Sequence, residues 1–176
     1  TNVTGIETIK LGDADNQSVT LGEEARNGGQ GVTTVNASAL TGTNKVTVDL
    51  SGMTTDQNMS VSTGAGADTI KTKAAHLSAS DVLDGNGGTD TLEFIDQVNL
   101  GSAVFAGVDD IETIKLSDAT ASNAQTLTLA NNAVLNTVDA SAITGVVTID
   151  GSDFTNALNI TTGTGADVIT VGSGVN

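Results

Sequence analysis

The stretch Thr63-Gly64-Ala65-Gly66-Ala67-Asp68-Thr69-Ile70-Lys71 joins a glycine turn, one carboxylate and a short apolar strand. Close copies occur as TGTGADVIT at 162–170 and as GNGGTDTLE at 85–93. All three fit the pattern G-G-x-G-x-D-x-U-x, in which U is a large apolar residue, with the first or second glycine replaced in each. A nonapeptide of this kind is typical of a parallel β-helix in which successive turns bind Ca²⁺.

The residue types of this turn suit a hard cation. Glycine permits backbone conformations in which carbonyl oxygens converge, and Ca²⁺ prefers carbonyl and carboxylate oxygens. We therefore predict one Ca²⁺ between the turns 63–68 and 85–90, held by the carboxylates of Asp68 and Asp90 and by backbone carbonyls. The candidate ligand residues of these two turns are Thr63, Gly64, Ala65, Gly66, Asp68, Gly85, Gly87, Gly88 and Asp90.

The spacing of the two aspartates needs an explanation. Paired turns on one edge should be about 18 residues apart, whereas Asp68 and Asp90 are 22 apart. We assign the excess to a loop at 72–75, which leaves 76–84 as the intervening nonapeptide. Asp81 then lies on the opposite edge, in a segment without glycines.

A further candidate turn contains Gly163, Gly165 and Asp167, the counterparts of Gly64, Gly66 and Asp68. The competing interpretation applies to all of these turns. In it, the aspartates accept hydrogen bonds from backbone N–H groups, and the glycines only reverse the chain.

The whole chain repeats itself. The segment 5–11 recurs at 110–116, 105 positions later, and 35–42 recurs at 138–145, 103 positions later. Asp68 and Asp167 are 99 positions apart, which indicates that loops shortened in the second copy. We predict one continuous solenoid of two imperfect repeats of about 105 residues, covering 1–105 and a truncated 106–176.

Short runs rich in Val, Ile and Thr predict strands rather than helices. Equivalent apolar positions recur 22 to 26 residues apart, with two strands per step. An all-β parallel solenoid of the β-roll or β-helix type fits best, with a leucine-rich repeat and an immunoglobulin-like sandwich as alternatives. The predicted strands of the first repeat are 6–11, 18–21, 32–37, 45–50, 59–63 and 69–72, with short helical turns at 22–28 and 73–77.

Composition excludes several classes of protein. The chain has 21 acidic and six basic residues, a formal charge of −15 and no Cys. Such a surface repels nucleic acid and anionic membranes, and the missing Cys excludes disulfides and thiolate metal sites. No apolar run approaches the about 20 residues that span a bilayer. Since no signal peptide is visible at Thr1, we expect a fragment or a processed product.

Other candidate residues are weaker. The single His, His76, falls in a predicted loop and is expected to be a solvated side chain. Glu7 and Glu112 are expected to face solvent. Thr126 and Thr128 suggest an ice-binding array, but the pair does not recur on successive coils. Arg26 is the only Arg, and aromatic residues are scarce, which argues against a carbohydrate-cleaving β-helix.

Together with the nonapeptides, the segments 5–9 (GIETI) and 138–145 (VDASAITG) resemble the RTX-type surface-layer proteins of Gram-negative bacteria. The resemblance implies type I secretion, folding in external Ca²⁺ and self-association into lattices or fibres at the cell surface. It indicates a structural, non-enzymatic and extracellular module. The alternatives are an RTX adhesin arm or a β-helix that binds or processes cell-surface polysaccharide.

Overall fold

The computed structural model describes residues 6–13, 15–22, 31–54, 57–118, 120 and 122–174. Short β-strands and two 3-10 helices, Ala74–His76 and Ser102–Phe105, make up the regular structure of these ranges. The strands are β1 Thr8–Lys10, β2 Gln17–Gly22, β3 Thr34–Asn36, β4 Val46–Gly52, β5 Ser60–Ser62, β6 Thr69–Thr72, β7 Val82–Asp84, β8 Thr91–Phe94, β9 Asn99–Leu100, β10 Val108–Asp109, β11 Thr113–Leu116, β12 Gln125–Thr128, β13 Thr137–Ala140, β14 Val147–Gly151, β15 Asn159–Thr162 and β16 Val168–Val171.

The strands form three sheets that wind around one axis. Sheet 1 has the order β1-β3-β5-β7-β10, sheet 2 the order β2-β4-β6-β8-β11-β13-β15, and sheet 3 the order β9-β12-β14-β16. Every strand pair is parallel, and the seven strands of sheet 2 come from successive turns of a solenoid, which we call coils. The predicted all-β parallel solenoid is confirmed, and the immunoglobulin-like sandwich is wrong because its strands would be antiparallel.

The core lies inside the coils and is built from stacked aliphatic side chains. In sheet 2, Val48, Ile70, Leu92, Ile114 and Val138 are in register on five successive coils, each 2% exposed or less. Strand residues alternate between buried and partly exposed positions, as expected for one covered face. Burying each such side chain contributes about 1.5–3 kcal/mol, so repetition of a small unit replaces the large aromatic core that this chain lacks.

The strand predictions agree with the structure to within a few residues. Strand β6 has the predicted bounds, and the 3-10 helix Ala74–His76 lies in the predicted helical turn at 73–77. The other predicted helical turn, at 22–28, lies almost wholly outside the described residues. Within the described ranges, neither helical segment has the length and hydropathy needed to cross a membrane.

The two sequence repeats occupy different sides of the solenoid. Strand β3 is in sheet 1, whereas its sequence counterpart β13 is in sheet 2. Likewise β4 is in sheet 2 and its counterpart β14 is in sheet 3. The shift arises in the coil that contains β7, β8 and β9, because this coil contributes one strand to each of the three sheets. The second repeat is therefore rotated about the axis by one sheet.

Candidate metal centre

Three carboxylates stack along the start of sheet 2, one per coil. Asp68, Asp90 and Glu112 directly precede strands β6, β8 and β11. The backbone N–H of Val46 donates to Asp68 Oδ1, that of Asp68 to Asp90 Oδ1, and that of Asp90 to Glu112 Oε2, each at 2.7 Å. We call Asp68, Asp90 and Glu112 the carboxylate ladder. Each carboxylate accepts a hydrogen bond from a backbone N–H group at a glycine turn. Without the carboxylate, that N–H group would have no partner.

The same arrangement recurs at three other strand entries and at the start of the 3-10 helix Ala74–His76. A side-chain oxygen accepts the backbone N–H of the residue one coil earlier in each case. The pairs are Asp81 with Met59 at 2.6 Å, Asp96 with Ala74 at 2.7 Å, Asp167 with Val147 at 2.8 Å, and Gln125 with Val98. Coil-to-coil capping is therefore a general function of polar side chains in this solenoid.

Glu112 was not predicted as part of the site. It is half-buried and hydrogen-bonded, so the expectation that it faces solvent is wrong, whereas Glu7 is exposed as expected. The sequence does contain a signal for it, because Asp68, Asp90 and Glu112 are spaced 22 residues apart. A search restricted to the glycine nonapeptide misses Glu112, since its turn has a different sequence.

The two predicted turns pack directly on each other. Thr63 is buried and its hydroxyl donates to the carbonyl oxygen of Gly85 at 2.8 Å. The backbone N–H of Gly87 donates to the carbonyl oxygen of Gly64 at 3.3 Å. The N–H of Ala65 donates instead to Leu40 of the preceding coil, at 3.1 Å. The structure thus brings 63–68 and 85–90 together, with the Asp68–Asp90 contact at their ends.

Two of the predicted ligand carboxylates are already occupied by the protein. Asp68 Oδ2 accepts from the Gly64 N–H at 2.9 Å, in addition to the Oδ1 contact. Asp81 Oδ2 accepts from the Ser78 N–H at 2.7 Å and from the Ser78 hydroxyl at 3.1 Å, while Oδ1 accepts from Met59. This geometry is that of the capping interpretation. Every oxygen of these two carboxylates accepts a hydrogen bond from the protein.

Asp90 differs from these two. Its Oδ2 is buried and has no hydrogen-bond partner. A methyl group added at Gly85 would lie 2.7 Å from this oxygen and would collide with the carbonyl oxygen of Asp110. Two oxygens therefore face the space that a side chain at position 85 would fill. A carboxylate oxygen and a carbonyl oxygen in one cradle are suitable donors for Ca²⁺.

The electrostatics of Asp90 also set it apart. Burial raises the pKa of Asp90 to about 7, against a lowering contribution from the Asp68 backbone N–H. The charges of Asp68, Glu112 and Asp110 raise it further. Loss of the proton therefore costs free energy in this fold unless a positive charge accompanies it. Within the carboxylate ladder, Asp90 is therefore the carboxylate for which a proton and a cation can compete.

The glycines of the predicted turns serve close packing between coils. Methyl groups added at Gly66, Gly163 and Gly165 would collide with the carbonyl oxygens of Asn44, Ile143 and Gly145, and one at Gly64 would lie 2.7 Å from Leu40 Cβ. Gly88, with a φ of +138°, faces the carbonyl oxygen of Gly66, whereas Gly87 has open space around it.

In the second repeat, Asp167 Oδ1 accepts the Val147 N–H, and Gly163 and Gly165 pack on the coil below. No strand pairs with the free side of β16 among the described residues. The same residues contain no group of three or more His, Asp or Glu side chains arranged to hold a metal. The residues that fit a cation are thus Asp90 and the carbonyl of Asp110, rather than a pair of aspartates.

The fold is a parallel β-solenoid. The carboxylate ladder connects its coils, because each carboxylate accepts a backbone N–H of the preceding coil. Comparison with known proteins identifies no relative of this chain. No protein-family model matches the chain, and no curated protein or solved structure matches it.

Proposed function

We propose that this chain is a structural module of an extracellular surface layer or matrix fibre, stabilised by Ca²⁺ and self-associating along its axis. The glycine nonapeptides, the resemblance to RTX-type surface-layer proteins and the formal charge of −15 support this proposal. In this role the protein needs no catalytic group. Its function is to be a stiff rod of defined cross-section.

The observation that carries the proposal is the regular stack of coils, in which seven strands of sheet 2 pair in parallel from one coil to the next. Among the described residues the backbone of β16 at the end of sheet 3 pairs with β14 alone, and Val168, Ile169 and Val171 are 54%, 44% and 44% exposed. Ile70, the counterpart of Ile169 in the first repeat, is 1% exposed because another coil covers it. An unpaired strand with exposed apolar residues favours strand addition by another chain.

The Ca²⁺ of this proposal binds at Asp90. Asp90 Oδ2 and the Asp110 carbonyl oxygen would hold it, and further oxygens would come from water, since Ca²⁺ takes six to eight ligands. The ion would keep Asp90 ionised and would tie the turn at 85–90 to the following coil. It supplies positive charge in an acidic protein and takes part in no reaction.

Thermal unfolding at pH 7.5 in Ca²⁺, in Mg²⁺ and in chelator tests the ion. We expect Ca²⁺ to raise the Tm of the wild type by several degrees, as binding to the folded state alone requires, and to leave that of Asp90→Asn unchanged. The matched control is Asp150→Asn, at an Asx turn where the Ser152 N–H donates to Oδ1 at 3.0 Å. Its Tm should respond to Ca²⁺ as the wild type does.

Equal midpoints in Ca²⁺ and chelator for the wild type would remove Ca²⁺ from the proposal.

Electron microscopy of the same samples tests assembly separately. Filaments or sheets are expected at high protein concentration. A protein that stays monomeric at every concentration, with or without Ca²⁺, contradicts the structural module.

A further inference from the structure

A small cavity lies where the chain passes from sheet 2 back to sheet 1, between β4, β6 and β7. It has a volume of about 10 Å³, which is close to the space that one water molecule needs. It shares no residue with the cation cradle formed by Gly85, Asp90 and Asp110. Its lining residues are Leu50, Met53, Gln57, Met59, Thr72, His76, Leu77, Asp81 and Leu83.

The soft donors of the entire sequence converge on this cavity. The chain of 176 residues contains two Met, one His and no Cys. Met53, Met59 and His76 all line this one cavity. Both methionines are 4% exposed, so their thioethers are held in the interior. His76 is half-buried, which corrects the expectation of a solvated side chain.

Two of the residues that line the cavity, Gln57 and His76, have unsatisfied polar atoms. His76 Nδ1 and Gln57 Nε2 are buried and have no hydrogen-bond partner. A buried polar atom without a partner costs about 1–3 kcal/mol, so a bound species that satisfies it is favoured. The oxygens of Asp81, which would attract a hard cation, are occupied by Met59 and Ser78. The donors left for a ligand are therefore sulfur and imidazole nitrogen.

We propose that this cavity binds one Cu(I) ion through the thioethers of Met53 and Met59 and the Nδ1 atom of His76. Thioether donors are soft and select Cu(I), and imidazole also suits copper, whereas Ca²⁺ and Mg²⁺ prefer oxygen ligands. A half-turn of the Gln57 amide presents its oxygen in place of its nitrogen to the same space. Ag(I) has the same charge and soft character, and it serves as a probe that does not change oxidation state.

The test is an anaerobic titration of the whole chain with Cu(I) in competition with a colorimetric Cu(I) chelator. We expect one ion per chain. Since even outer-shell partners of metal ligands commonly contribute about tenfold, His76→Gln and the double variant Met53→Leu, Met59→Leu should each weaken binding by more than about tenfold. Asp150→Asn, at the Asx turn where the Ser152 N–H donates to Oδ1, is the matched control and should bind Cu(I) like the wild type.

A second measurement works on the wild type alone and so does not depend on the variants folding. With methyl-labelled methionine, the protein gives two methyl signals, from Met53 and Met59. Both should shift on addition of one equivalent of Ag(I). If neither signal moves, or if Cu(I) binding is unaffected by the His76 and Met substitutions, the site is wrong, and the cavity holds a water between Gln57 and His76.

Discussion

Asp90 combines two properties that are normally in conflict. It is buried, yet only one of its carboxyl oxygens has a hydrogen-bond donor. Asp68, one coil earlier, has the same surroundings but receives N–H groups on both oxygens. The difference arises in the turns, because the Gly64 N–H points at Asp68 whereas the Asn86 N–H, 22 residues later, donates to Asp84 at 2.8 Å. Because the Asn86 N–H donates to Asp84 and not to Asp90, Oδ2 of Asp90 has no hydrogen-bond donor.

The raised pKa of Asp90 predicts a pH-dependent stability with a definite sign. An acid that titrates at about 7 in the folded state and at about 3.9 unfolded binds more protons when folded, so stability falls as the pH rises between these values. Asp90→Asn removes this loss. In chelator at pH 8 we expect the variant to be more stable than the wild type by roughly 2–4 kcal/mol.

Urea denaturation of both proteins between pH 4.5 and pH 8.5 measures this effect. The gap between them should widen as the pH rises from 4.5 and should level off above about 7. Asp150→Asn controls for the loss of one negative charge and should follow the wild-type profile. A constant gap between wild type and Asp90→Asn at all pH values would mean that the carboxyl does not titrate in this range.

The residues of the site were only partly predictable from sequence. Asp68 and Asp90 were found because a glycine turn precedes each, and the structure does stack their turns. Glu112 was missed because its role depends on a coil length of 22 residues, which becomes visible only when the coils are aligned. The orphaned oxygen of Asp90 could not be predicted, since it depends on the direction of one N–H group in the turn.

At the scale of the elements, the sheets are held in register by rows of matching side chains. Along the outer face of sheet 2, Asp49, Lys71, Glu93, Lys115 and Asp139 are neighbours on successive strands. Glu93 contacts Lys71 at 3.0 Å and Lys115 at 3.5 Å. Burial alone would raise the pKa of Glu93, but hydrogen bonds from Ser117 and Lys71 and the two Lys charges lower it below its usual value. Opposite charges in register disfavour any slip of one coil against the next.

A second row on the same face consists of hydroxyl side chains. Thr47, Thr69, Thr91, Thr113 and Thr137 are in register on five successive coils. The row beside it is the charged one, so threonine pairs do not recur here. Thr126 and Thr128, the pair noted in the sequence, lie instead in sheet 3, in register with Thr148 and Asp150. The complete threonine row of sheet 2 was not predicted.

The turns between the sheets depend on glycine for space. A methyl group at Gly66 would collide with the carbonyl oxygen of Asn44, whereas one at Gly87 would meet nothing within 4 Å. We expect Gly66→Ala to destabilise the protein by roughly 2–4 kcal/mol, because backbone atoms of two coils must separate. Gly87→Ala is the matched control, and its stability should change by less than about 1 kcal/mol.

Denaturant unfolding of the two variants in chelator decides between packing and metal binding as the role of Gly66. Destabilisation of Gly66→Ala without any metal supports packing. If Gly66→Ala matched the wild type in chelator and differed only in Ca²⁺, the glycine would be serving the cation instead.

At the scale of the whole molecule, the fold class was predictable and the placement of the repeats was not. The repeat period, the β-branched strands and the scarcity of aromatic residues predicted a parallel solenoid from local patterns. The rotation of the second repeat by one sheet depends on the number of strands in the coil β7–β8–β9. Strand β9 has two residues, Asn99 and Leu100, and lacks the length that marks a strand in sequence. Nearly identical segments such as 8–11 and 113–116 therefore face different directions.

Self-association along the solenoid axis would use the exposed apolar residues of β16. Ile169 is in register with the fully buried Ile149, yet it is 44% exposed because no coil within the described residues covers it. Val82, on the outer face of sheet 1, is 52% exposed. We expect Ile169→Glu to lower the self-association constant by about tenfold or more, since a charge would be buried at the contact, with little change in Tm.

Val82→Glu is the matched control, since it adds the same charge to a valine on the side of the rod. Sedimentation velocity over a range of protein concentrations measures both variants against the wild type. Weaker association for Ile169→Glu alone places the contact at the strand end. Weaker association for Val82→Glu alone places it on the side of the rod, and the chains would then form sheets through sheet 1 rather than filaments through β16.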